Sequence, residues 1–137
     1  MSAAIERVEA SWRAFNEAVD GVPAERMTEP GASGAWSVKD VLAHVAVWDD
    51  IQVDKIELKK NRAPLPEWDG FQAINDREHA ARSGWSLEQA RAEMLAAHER
   101  VVSALRTVVD IDPEEVKDDT WGHYDEHAAA IRAWLMA

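Results

Sequence analysis

Hydrophobic spacing constrains this chain more than any other feature. Four long segments repeat apolar residues at intervals of three, four and seven, and nothing alternates with period two for long enough to be a strand. The first stripe, Ile5, Val8, Trp12, Phe15 and Val19, runs from about Ser2 to Asp20 and stops at Gly21. The second begins at Ser37, carries Val38, Val41, Leu42, Val45, Trp48 and Gln52, and continues to about Asn61, before Ala63-Pro64-Leu65-Pro66 breaks it. The third opens at Ser86 with Leu87, Met94, Val101, Leu105 and Val108. The fourth spans about Thr120 to Trp134, with Tyr124, Ala128, Ile131 and Leu135 on one side. Ser37 with Asp40, and Ser86 with Gln89, have the spacing of capping boxes. Pro23 to Arg26 and Pro113 to Val116 read as single helical turns, and Phe71 to Arg82 as a fifth helix across the bundle end. The expectation is all-α: a four-helix bundle with short extra helices in its connections, forming one domain over residues 1–137.

Composition narrows the function classes. Of 137 residues, 47% are hydrophobic, enough to bury a core. Fifteen basic residues against 26 acidic ones give a net charge of −11. A surface that negative repels phosphate backbones and anionic headgroups, so the expected partners include no nucleic acid and no membrane. Without cysteine there is no disulfide, thiolate metal site or cysteine nucleophile. The opening MSAAIERVEASW carries charges where a signal peptide needs an apolar stretch, and no run is long enough to span a bilayer, so a soluble, cytoplasmic protein is expected.

Five histidines carry the chemistry. His123 and His127 stand four apart, so a helix places them one above the other on one face. Neutral imidazole is the commonest metal-binding side chain, and such a pair can close on one ion without bending the backbone. Two ligands bind weakly; His44, on the flank of the second stripe, is the candidate third. Three imidazoles leave coordination positions free for water or substrate, as catalytic sites require. The competing reading is a chance surface pair beside a hydrogen-bonded core histidine, and spacing alone favours that reading. His123-Tyr124-Asp125-Glu126-His127 also fits H-x-x-E-H, the inverted zinc-peptidase signature, but no substrate-cleft domain accompanies it. Glu126, three residues from His123, is the candidate proton-handling group. His98 sits mid-stripe in the third helix and needs a buried partner. It is the second candidate catalytic residue, as a group lining the same cavity, but the plain reading as a satisfied core histidine is favoured. His79, in a charged stretch, is expected at the surface.

Two segments resemble a known family. Trp36-Ser37-Val38-Lys39-Asp40-Val41-Leu42-Ala43-His44 looks like the tryptophan–serine start and histidine-bearing second helix of the DinB/YfiT-like superfamily. Thr120-Trp121-Gly122-His123-Tyr124-Asp125-Glu126-His127, with Ile131-Arg132-Ala133-Trp134-Leu135 after it, looks like its last helix. The stretch from Asn75 through Ala97-His98-Glu99 to Leu105 is similar to the ClbS/DfsB branch. The resemblance implies a four-helix bundle holding a divalent metal ion, zinc or nickel, by one histidine of the second helix and two ligands four apart on the last. Those positions are His44, His123 and His127.

The resemblance further implies activities that include thiol-dependent transfer, with mycothiol, bacillithiol or glutathione as a low-molecular-weight thiol cosubstrate, and hydrolysis of a cyclopropane that disarms a genotoxin. The expectation is thus a metal-dependent hydrolase or thiol transferase acting on a small electrophilic molecule in detoxification. The alternatives are a non-catalytic protein that sequesters a small molecule, and an interaction module forming a homodimer. Of the seven tryptophans, Trp12, Trp48 and Trp134 are expected in the core, Trp36, Trp85 and Trp121 at helix starts, and Trp68 is the best candidate for a pocket rim, though more simply a loop anchor.

Overall fold

A computed structural model describes residues 2–137. Five α-helices form: α1 (Ala3–Asp20), α2 (Val38–Lys60), α3 (Phe71–Arg82), α4 (Leu87–Arg106) and α5 (Trp121–Leu135), with single 3₁₀ turns at Ala24–Arg26 and Pro113–Val116. The described residues contain no strand beyond an isolated bridge between Ser33 and Trp36. The bundle expected from the periodicity is therefore the fold.

Local chemistry sets the helix starts. Ser37 accepts the Asp40 amide while Asp40 accepts the Ser37 amide, and Ser86 and Gln89 repeat the arrangement, so orphan amides at both ends are satisfied. Asn61 ends α2, and Arg62 takes a left-handed φ of 53° before the prolines are reached.

Packing divides the long helices into two pairs, α2 with α4 and α1 with α5, while α3 lies on α2. The core draws Val8, Phe15 and Val19 from α1, Val38, Val41, Leu42, Val45 and Ile56 from α2, Met94, Val101 and Leu105 from α4, and Tyr124 and Ile131 from α5. Asp49 and Gln52 are buried on the same side of α2, so polar groups occupy two positions in the centre of the bundle.

The connection from Gly21 to Ser37 shapes the site. The Trp36 carbonyl accepts from the amides of both Gly31 and Ser33. Gly31, at φ +118°, lies against the Trp134 indole, where a Cβ would come within 3.0 Å of Nε1. Arg26 covers the same ring at 4.4 Å. These contacts lock the connection to α5 and present Trp36 to the helix carrying His44.

Candidate metal centre

His44 comes from the second turn of α2, and His123 and His127 from the first two turns of α5. Two local features aim α5. The Thr120 hydroxyl donates to the Val116 carbonyl at 2.5 Å, and Gly122 lies so close to Lys117 that an added Cβ would meet its carbonyl oxygen at 2.9 Å. Only a glycine lets the first turn of α5 settle there, immediately before His123.

The three imidazoles point the same nitrogen at one spot. His123 Nε2 lies 2.8 Å from His44 Nε2 and 3.0 Å from His127 Nε2. The rings meet edge to face, with centroids 4.5–5.1 Å apart. His44 is lowered to about 3, mainly by burial and then by the charges of His127 and His79. His127 is lowered to about 4 by burial. His123 falls well below the usual imidazole value, through burial first and then its two neighbours. All three are neutral near pH 7, the state that donates a lone pair.

This arrangement suits a cation. Nitrogens sharing an ion at about 2.0–2.1 Å must lie within about 4 Å of one another, and both short pairs here do. Three convergent lone pairs are satisfied together by one divalent ion, whereas protons shared between rings can satisfy only some of them. The Nδ1 atoms of His123 and His127 are buried without a hydrogen-bond partner. The carboxylate or carbonyl that commonly orients a ligating imidazole is thus absent from these two. The packing of α5 along α1, and of Trp36 against His44, holds the site instead.

The triad forms the floor of an open pocket of about 500 Å³, lined also by Ser33, Trp36, Trp48, Phe71, Asn75, Asp118, Asp119 and Glu126. Trp36 leans its edge on His44, and Trp48 donates its indole N–H to Asn75 Oδ1 at 2.8 Å. Glu126 is exposed and stands on the pocket wall.

His98 does not line this pocket. It lies deeper in the bundle, stacked on Trp12 at 3.9 Å, with Nδ1 3.1 Å from the Tyr124 hydroxyl and Nε2 2.5 Å from Glu9 Oε1. The Tyr124 hydroxyl reaches both oxygens of Asp49, which is inaccessible to solvent. His98 opens instead on a separate cleft with Glu9, Trp12 and Glu99. Its mid-stripe position signalled a buried histidine needing a partner, the favoured reading agrees with its contacts to Glu9 and Tyr124, and the alternative that it lines the triad's cavity does not hold.

Two other sequence readings change, and the simpler reading of Trp68 is kept. His79 is half-buried, stacked on Trp36 at 4.9 Å with Nε2 3.4 Å from Asp40, because α3 turns that face toward α2. Trp48, expected in the core, is half-buried and lines the pocket instead. Trp68 lies outside the lining with Lys55 over its ring, a loop anchor rather than a rim. Phe71 takes the rim position, 69% exposed at the start of α3. Phe71 carried no sequence signal beyond its place on α3, and Asn75 entered only as part of the stretch resembling the ClbS/DfsB branch.

Comparison with known proteins decides the family. The chain matches the DinB superfamily over residues 7–137. It belongs to the DinB superfamily. No curated protein matches it in sequence. Among solved structures, this DinB bundle is similar to an uncharacterised protein from Escherichia coli UTI89, with a TM-score of 0.82 and 14% identity over 97% of this chain and 91% of that one. It is also similar to the colibactin self-resistance protein ClbS in complex with a dsDNA, with a TM-score of 0.80 and 9% identity over 96% of this chain and 93% of ClbS. At these identities the likeness concerns the fold, and it fits the ClbS-like resemblance read from the sequence.

The ClbS complex overturns one expectation. Net charge was read as excluding nucleic acid, yet a bundle of this fold is seen with duplex DNA. A whole-chain sum of −11 says nothing of how charge is distributed, and DNA responds to the local surface it meets. Among the described residues, no helix is long and apolar enough to cross a membrane.

Proposed function

We propose that this protein is a metal-dependent enzyme acting on a small electrophilic molecule, as a hydrolase or thiol-dependent transferase, in a stress or detoxification role. The observation that carries the reading is the meeting of three neutral imidazole nitrogens at the floor of an open, aromatic-walled pocket.

His44, His123 and His127 are the ligands, through Nε2. A divalent ion held there supplies Lewis acidity and makes a bound water or thiol nucleophilic near neutral pH. Trp36 and Trp48 keep bulk water from one side of the triad and offer flat surfaces on which an apolar substrate can rest. Glu126, exposed on the wall, receives or returns the proton of the nucleophile. His98 has no direct part, because its nitrogens are engaged by Glu9 and Tyr124 in a different cleft.

The test begins with metal analysis of untagged protein, since an affinity tag would bind metal itself. About one zinc or nickel ion per chain is expected, with affinity falling more than tenfold in His123→Ala and in His127→Ala. The loaded protein is then screened against strained-ring and alkylating electrophiles, with and without thiols. Unchanged metal binding in both variants ends the proposal.

A second reading comes from the ClbS complex: the bundle also meets duplex DNA. In this chain Lys55, Lys59, Lys60 and Arg62 cluster at and just beyond the end of α2, although Lys55, Lys59 and Lys60 are paired with Asp119, Glu115 and Glu57. Fluorescence anisotropy with a labelled duplex at 50 and 200 mM salt tests this: binding that weakens steeply with salt supports it, and none at the lower salt removes it.

A further inference from the structure

The pocket over the triad has a charge pattern that bears on what can enter. Its walls hold three aromatic rings, Trp36, Trp48 and Phe71, and three carboxylates, Asp118, Asp119 and Glu126, but no lysine or arginine. Asp119 is held by Lys55 at 2.7 Å. Asp118 and Glu126 form no ion pair among the described residues, so two carboxylates face the opening uncompensated. Lys39 and Arg82 line an adjoining narrow slot that shares Trp36, His44 and Asn75 with the pocket, and both are committed: Lys39 donates to the Ser83 and Trp85 carbonyls, and Arg82 pairs with Glu78.

The rings are set to receive a flat group. Trp48 is fixed by Asn75 and Trp36 by His44 and His79, so both hold their orientation before a ligand arrives. Phe71, at the mouth, completes the aromatic lining. Ring faces attract cations as well as other rings, and an anion entering here would lose water without meeting a basic side chain.

We propose that the walls of this pocket favour neutral or cationic molecules bearing a planar ring over anions, an ion held by the triad being the one cationic group that could seat a negative charge there. The inference rests on the pocket being the site of the proposed chemistry, and it deepens that reading.

Three probes of one shape test the selection: 2-naphthylmethylamine, 2-naphthylmethanol and 2-naphthalenesulfonate. Each is titrated by calorimetry into metal-loaded and into chelated protein, with the Trp48 indole N–H followed by NMR. In the chelated protein the amine is expected to bind at least tenfold more tightly than the sulfonate, with the alcohol between, and loading the metal should narrow the gap. Glu126→Gln combined with Asp118→Asn should reduce that ratio at least threefold, and Trp48→Ala should weaken all three probes. Sulfonate binding equal to or tighter than the amine in the chelated protein overturns the proposal, as does a ratio untouched by the double substitution. Selectivity that persists in a protein unable to hold metal leaves this inference standing and removes the enzyme reading. Metal binding without selectivity does the reverse.

Discussion

The Tyr124 hydroxyl lies 2.7 and 2.8 Å from the two oxygens of Asp49, in the part of the bundle that solvent does not reach. Burial pushes the Asp49 carboxyl well above its ordinary range, and burial and then the charge of Asp49 push the Tyr124 hydroxyl up. Removing the hydroxyl leaves Asp49 and His98 Nδ1 each short of a partner. Tyr124→Phe should therefore cost about 1–3 kcal/mol of stability, measured by urea denaturation. In the Asp49→Asn background the same substitution should cost a different amount, because the two side chains share one interaction. Equal costs in both backgrounds would show that the contact contributes nothing.

Asp49 should also leave a mark on the pH dependence. Its folded pKa is raised, so the folded chain holds a proton that the unfolded chain releases near pH 4. Stability from this group is complete below that pH and declines as pH rises toward the folded value, by up to about 1.4 kcal/mol per pH unit. Asp49→Asn removes the decline. Denaturation of both proteins between pH 4 and 7 should show the variant gaining on the parent as pH rises; parallel curves would contradict this.

The triad has the opposite sign. In chelated protein, His44 at about 3 and His127 at about 4 are depressed from about 6.5. Between those values and pH 6.5 the unfolded chain binds more protons, so stability falls on acidification, by up to about 1.4 kcal/mol per pH unit for each histidine. His127→Gln should flatten the acid limb of the stability curve between pH 6.5 and 4. A limb of unchanged slope would mean that His127 titrates normally in the folded chain.

Gly122 offers a test of how α5 is aimed. A Cβ there meets the Lys117 carbonyl at 2.9 Å, so Gly122→Ala must shift the backbone beside His123. Destabilisation of about 1–3 kcal/mol is expected, with metal affinity falling severalfold although no ligand has changed. Gly84→Ala, where a Cβ meets nothing within 4 Å, is the control and should alter neither.

Much of this was legible in the sequence, for reasons that differ by residue. Spacing at 3.6 residues per turn located the four long helices, Gly70 and Gly84 bracketed the fifth, and the serines at 37 and 86 marked two of their starts. The i, i+4 pair His123 and His127 shows in the primary structure, but the approach of His44 depends on how α2 crosses α5, which periodicity cannot give. The family resemblance supplied that link. Asp49 was overlooked because Trp48 was assigned to the stripe in its place, although Val45, Asp49, Gln52 and Ile56 also recur at intervals of three and four and form the more deeply buried row. The pocket walls were hidden for another reason. Phe71 and Asn75 matter through where α3 lies on α2, a tertiary fact.

Glu9, Asp49, His98 and Tyr124 come from α1, α2, α4 and α5, one from each long helix. Apolar stripes tolerate sliding, since one leucine or valine layer looks much like the next. This polar row does not: displacing a helix by a turn leaves one of the buried members, Asp49, His98 or Tyr124, without its partner. It works as a combination lock on the bundle, admitting a single alignment of the four rods and thereby fixing the height at which His44 stands opposite α5.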